Sequence, residues 1–89
     1  MLSEVVEVRV LEGYQLYLRF GDGAEGVIDV EKIVPFDGVF AALRERASFE
    51  QVCVHPELGT ICWPNGAYLD PDVLHSLVTG FPVEVESAG

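Results

Sequence analysis

The chain has 89 residues, room for one domain with one modest core, and its hydrophobic content of 49% supplies that core without metals or disulfide staples. A domain of this size buries roughly 60–65% of the surface its unfolded form exposes. Five Lys and Arg against fifteen Asp and Glu give a net charge of −10, which argues against nucleic-acid binding, since that draws its non-specific affinity from cations on phosphates. No apolar run approaches the roughly 20 residues of a membrane span. Met1-Leu2-Ser3-Glu4 lacks the basic and apolar regions of a signal peptide, so the cytoplasm is the expected address.

The first thirty residues read as an antiparallel meander. Val6, Val8 and Val10 alternate with Glu7 and Arg9, and Tyr14, Leu16, Leu18 and Phe20 alternate with Gln15, Tyr17 and Arg19. A period of two marks half-buried strands. A three-residue loop Leu11-Glu12-Gly13 sets Val10 against Tyr14, Val8 against Leu16 and Val6 against Leu18. The loop Gly21-Asp22-Gly23 sets Leu16 against Ile28 and Arg19 against Glu25, the second as a cross-strand ion pair.

Asp29 to Val34 then form one helical turn that Pro35 stops. Asp37 suits the N-cap of a short helix running to about Arg46, with Val39, Phe40 and Leu43 inward and Arg44, Glu45 and Arg46 in water. A second hairpin follows. The loop Pro56-Glu57-Leu58-Gly59 sets His55 against Thr60, Val54 against Ile61, Cys53 against Cys62 and Val52 against Trp63. The last helix carries every start and stop signal: Asp70 as N-cap, Pro71 at its first position, Asp72 in the first turn, Gly80 as stop and Pro82 beyond it. Val73, Leu74, Leu77 and Val78 are its expected buried stripe. The fold class is α+β: a three-stranded antiparallel meander, a short helix, a β-hairpin and a C-terminal helix packed on the sheet. Residues 1–82 form the single domain, with 83–89 a flexible tail or an added edge strand.

No constellation of catalytic residues emerges, and no catalytic residue, cofactor or metal ligand is assigned. Cys53, His55 and Cys62 lack the fourth ligand of a zinc site, and the two cysteines are expected as reduced structural thiols. His75 and Ser76 are adjacent on a helix and diverge by about 100°, so they make no nucleophile–base pair. Asp22, Asp29 and Asp37 are accounted for as turn, strand-end and cap residues. Gly21-Asp22-Gly23 closes a hairpin instead of opening a helix, so it is no phosphate loop. Trp63 reads first as a core anchor. As a contact residue it would floor a groove with Tyr17 and Tyr68, and with Asn65 these form the candidate interaction surface.

The passage Trp63-Pro64-Asn65-Gly66-Ala67, followed by Leu69-Asp70-Pro71-Asp72-Val73-Leu74, is the most distinctive in the chain. It is preceded in order by Phe20-Gly21-Asp22-Gly23, Val27-Ile28-Asp29-Val30, Gly38-Val39-Phe40-Ala41-Ala42-Leu43 and Phe49-Glu50-Gln51-Val52-Cys53-Val54. Over residues 4 to 80 this series resembles a family of small bacterial proteins known as domain of unknown function twenty-four forty-two. The resemblance implies a small α+β domain without an established enzymatic activity. It further implies a place in a toxin–antitoxin-like pair, since many members are encoded beside another small protein. Longer relatives add a helix-turn-helix segment, for which the residues after Gly80 leave no room. The chain departs from the family at Tyr68, where members generally carry Asp. Either an Asp-dependent function is altered here, or a turn carboxylate has given way to contact surface.

The resulting expectation is a non-catalytic interaction module, the acidic member of a two-protein system, whose partner is a basic protein and not a nucleic acid or a membrane. The alternative is a small-ligand-binding or enzymatic domain with a pocket near Trp63.

Overall fold

Alternation of apolar and polar side chains produces three antiparallel strands, β1 (Val5–Val10), β2 (Gln15–Phe20) and β3 (Glu25–Asp29), in the computed structural model, which describes residues 4–80. The tail or edge strand expected over 83–89 lies outside the described residues. β2 is central, with β1 and β3 on either side. Its inward residues Leu16, Leu18 and Phe20 are wholly buried.

The second turn has the expected register: Leu16 opposes Ile28 and Arg19 opposes Glu25 around Gly21-Asp22-Gly23. The expected Arg19–Glu25 ion pair does not form. Arg19 Nε instead donates to Glu7 on β1 at 3.1 Å, and Glu25 accepts from the Tyr17 hydroxyl at 2.5 Å.

The first turn differs from its expected form. The loop is Glu12-Gly13-Tyr14, closed by a 2.9 Å bond from Leu11 N to Gln15 O, so Val10 opposes Leu16 and Val8 opposes Leu18. The cause is Tyr14, which leaves the ladder. Its ring meets Phe36 and Phe49 edge-on at centroid distances of 4.9 and 5.1 Å, and its hydroxyl donates to the Arg44 carbonyl at 2.5 Å. A slip of two residues keeps apolar against apolar, so the hydrophobic pattern alone tolerates either register. At the start of β1 a bulge between Val5 and Glu7 turns Val5 inward and leaves Val6 exposed, contrary to the strict alternation expected of it. Val5 N is tied there to Gly59 O at 3.0 Å.

α1 (Val30–Ile33) is the single turn expected before Pro35, and the Asp29 carboxylate caps it by accepting from Glu31 N at 3.1 Å. The next segment is not one helix. A 3-10 helix covers Gly38–Arg44, the chain resets at Glu45, and a separate turn, α2 (Arg46–Phe49), follows. Asp37 makes no side-chain cap there. At three residues per turn, Phe40 and Leu43 fall in line, which buries Leu43 and leaves Val39 outside. Val39 is therefore not the core residue expected from an α-helical period.

β4 (Cys53–His55) and β5 (Thr60–Cys62) pair in the expected register, with Cys53 opposite Cys62, Val54 opposite Ile61 and His55 opposite Thr60. Beyond Trp63 the chain doubles back along β5. Cys62 bridges Tyr68, Trp63 N donates to Ala67 O at 2.9 Å, and the buried Thr60 hydroxyl donates to Leu69 O at 2.6 Å.

α3 (Pro71–Thr79) starts on Asp70, whose carboxylate accepts from Asp72 N at 2.8 Å, and stops at Gly80. It packs against β3 along the single line Leu74 and Val78, leaving Val73 and Leu77 exposed where a four-residue stripe was expected. Contact is made at Gly26, where an added Cβ would lie 3.0 Å from Val78 Cβ.

Two substitutions check this seating. Asp70→Ala should lower stability by about 1 kcal/mol through loss of the cap, and Gly26→Ala should lower it by about 1–3 kcal/mol by prising α3 from β3. Both are read by urea unfolding, and a neutral Gly26→Ala would mean that α3 is not held at that contact.

Candidate functional site

The distinctive Trp63 passage is a turn built on the same plan as the one that joins β2 to β3. In one, Phe20 N donates to Ala24 O at 2.8 Å and Gly23 N to Phe20 O at 3.0 Å; in the other, Trp63 N donates to Ala67 O at 2.9 Å and Gly66 N to Trp63 O at 3.0 Å. The side-chain oxygen two residues after each aromatic accepts from the alanine N–H, Asp22 from Ala24 at 3.0 Å and Asn65 from Ala67 at 3.1 Å. Gly23 and Gly66 both have φ +95°, which side-chain-bearing residues rarely adopt. The rule is an aromatic, one residue, Asp or Asn, glycine and alanine, and it yields a three-residue hairpin loop with its carboxylate or amide turned onto the backbone.

In each turn the aromatic goes into the core and the polar side chain does a second task. Trp63 is 3% exposed, and its indole N–H donates to the Phe49 carbonyl at 3.0 Å. Asn65 also donates from Nδ2 to Val39 O at 2.9 Å, holding the 3-10 helix against the turn. Asp22 Oδ2 lies 2.9 Å from His75 Nε2, and the His75 ring stands edge-on to Phe20 at 4.9 Å. His75 thus clasps α3 to the turn. His55 accepts at Nδ1 from Leu58 N at 3.2 Å, in keeping with a hairpin-end role.

The four candidate surface residues are distributed unevenly. Trp63 and Asn65 share a depression of about 100 Å³ with Ala42, Leu43, Ser48 and Gln51, and neither tyrosine lines it. Tyr68 is 55% exposed beside Cys62. Tyr17 lies on the outer sheet face, where the Arg9 guanidinium sits 5.9 Å over its ring and a shallow recess of about 300 Å³ is completed by Leu11 and Val27. The hydrogen bond to Glu25 pushes the Tyr17 phenol above its ordinary range, with partial burial adding to the effect.

The four arginines are occupied within the chain. Arg9 and Arg19 both donate to Glu7, at 2.7 and 3.1 Å, and those two bonds hold the Glu7 carboxyl below its ordinary value. Arg46 donates to Glu50 at 2.9 Å and to Leu11 O at 2.6 Å, and Arg44 to Phe36 O at 2.7 Å. Such bracing roles were missed from sequence, where Arg44 and Arg46 read as wet-side residues; both are indeed exposed. Among the described residues no group of three or more His, Cys, Asp or Glu side chains is placed to hold a metal ion. No described helix is long and apolar enough to cross a membrane.

A family model described as Protein of unknown function (DUF2442) matches residues 5–80. No curated protein and no solved structure matches the chain.

Trp63→Ala should cost about 3–5 kcal/mol, the range for emptying a large buried aromatic site. Asn65→Ala should cost about 1–2 kcal/mol by unpairing Ala67 N and Val39 O. Chemical denaturation measures both, and a Trp63→Ala loss under about 1 kcal/mol would contradict the anchoring role.

Proposed function

The chain belongs to the DUF2442 family, a family described by its unknown function, and we propose that it acts as a non-catalytic protein-interaction module with a basic protein as partner. On this reading it is the acidic member of a two-protein, toxin–antitoxin-like or regulatory pair. The observation that carries the reading is the imbalance of available charge. All four arginines donate to groups of the chain itself, whereas Glu12, Glu31, Asp37, Glu45, Glu57 and Asp72 are exposed carboxylates. Apart from Lys32, the charge left outside these bonds at the described surface is negative, and complementary fields steer encounter. The same imbalance disfavours phosphate backbones, because neutralising them takes cations that are free to move onto them.

Tyr68 is the aromatic contact we assign to that surface. It is large and exposed, and it is held by the Cys62 bridge at the end of a rigid hairpin. Tyrosine is over-represented among the residues that dominate binding energy. Trp63 and Asn65 contribute from behind, by fixing the turn that presents it, while Tyr17 marks a separate patch on the outer sheet face.

The alternative, a small-ligand or enzymatic site at Trp63, has less support. Ligand sites commonly enclose about 300–1,000 Å³, and the depression beside Trp63 has about 100 Å³.

Affinity purification of the tagged chain should recover a basic protein whose association rate falls as salt rises, since the field is screened over about 8 Å at 0.15 M. Tyr68→Ala should leave the unfolding midpoint unchanged and weaken that complex by about tenfold. Fluorescence anisotropy with duplex DNA or RNA at physiological salt should show no binding. A salt-indifferent on-rate, or micromolar nucleic-acid affinity, would overturn the reading.

A further inference from the structure

The chain has two cysteines, and the β4–β5 register sets them directly opposite one another. Both are free thiols with Sγ atoms 3.8 Å apart; Cys53 is exposed and Cys62 half-buried. Facing residues of an antiparallel pair have Cα atoms about 4.5–5.5 Å apart, within the roughly 4.4–6.8 Å that disulfides span. Bonding therefore needs side-chain rotation to close the Sγ separation to about 2.05 Å, with the strand backbones left in place. A structural pair would sit in the core, as Ile61 and Trp63 do on the other face of the same strand. This pair faces outward, beside Tyr68.

We propose that Cys53 and Cys62 form a reversible dithiol–disulfide site that exchanges with low-molecular-weight disulfides and staples β4 to β5 when oxidised. The Cys53 thiolate attacks one sulfur of the incoming disulfide, forming a mixed disulfide and expelling one small thiolate. The Cys62 thiolate then attacks Cys53 Sγ, which closes the protein disulfide and expels the second small thiolate. Two protein thiols are oxidised, one small disulfide is reduced to two thiols, and the two protons pass to the leaving thiolates. Exposure assigns the first attack to Cys53. Burial, and then the hydrogen bond with Cys53, hold the Cys62 thiol above its ordinary value, which disfavours it as first attacker; its later attack is driven by its position opposite Cys53. An exposed disulfide of this kind is the reducible sort, in contrast to the deeply buried ones that resist the glutathione pool. The staple stiffens the hairpin that leads into Trp63 and Tyr68. This site does not depend on the identity of any binding partner.

The purified chain is incubated with oxidised glutathione and followed by intact mass, thiol titration and thermal unfolding. Both free thiols should disappear with the loss of two hydrogens and no glutathione adduct, and excess reductant should restore them. The unfolding midpoint should rise by about 10 °C. Cys62→Ser should stop at one glutathione bound to Cys53. Wild-type chain that keeps both thiols, retains a stable glutathione adduct, or forms only intermolecular disulfides would overturn the proposal.

Discussion

The structure depends on a line of aromatic rings that joins four separate pieces of the chain. Phe36, Tyr14, Phe49 and Trp63 follow one another at centroid distances of 4.9, 5.1 and 6.3 Å. Each comes from a different piece of chain: the segment after α1, the first hairpin loop, α2, and the end of β5. Edge-on pairs contribute about 0.5–1.5 kcal/mol beyond their buried area, and the two polar tips are both satisfied, Tyr14 by Arg44 O and Trp63 by Phe49 O. The elements from Gly38 to Phe49 are too short to be stable alone, since isolated helices need about 12–15 residues. Their shape is therefore imposed by what Tyr14, Phe49 and Trp63 bury.

The same line explains why the most distinctive passage of the sequence has an architectural role. Phe20 and Trp63 each begin a loop of identical bonding plan, and each sends its ring into the core. The Asp22 and Asn65 side chains then tie their turns to distant elements, α3 through His75 and the 3-10 helix through Val39. A distinctive passage of sequence can arise from such a joint as readily as from chemistry. The second joint also presents an exposed residue, Tyr68, to which we assign the contact role.

Charge is organised by the same economy. The arginines serve as braces to carboxylates and carbonyls of the chain itself, and the carboxylates in excess are left to the solvent. Exposed ion pairs contribute little to stability, about 0–1 kcal/mol each, so the arrangement matters more for the field outside the protein than for its fold.

The sequence by itself determined the fold class, the register of the β2–β3 and β4–β5 hairpins, the cap of α3, and the facing of Cys53 and Cys62. Each of these rests on local chemistry: a period of two, a Gly-ended loop, an Asp before a helix start. The resemblance drawn over residues 4 to 80 agrees with the family model, which matches residues 5–80. Tertiary structure decided the rest. Tyr14 had two places that the alternation pattern treats alike, and only the rings of Phe36 and Phe49 chose between them. Val39, Val73 and Leu77 satisfy a helical period, yet one stretch winds as a 3-10 helix and the other meets the sheet through Leu74, His75 and Val78, so burial stopped short of all three. Val6 lost its inward place to a bulge anchored at Gly59. Tyr17, Trp63, Asn65 and Tyr68 together made the candidate contact surface in the linear chain, with Trp63 read first as a core anchor. Trp63 went inside because its indole found both a cavity and a carbonyl, and Tyr68 stayed outside because its bridge partner, Cys62, lies on the outward face of β5.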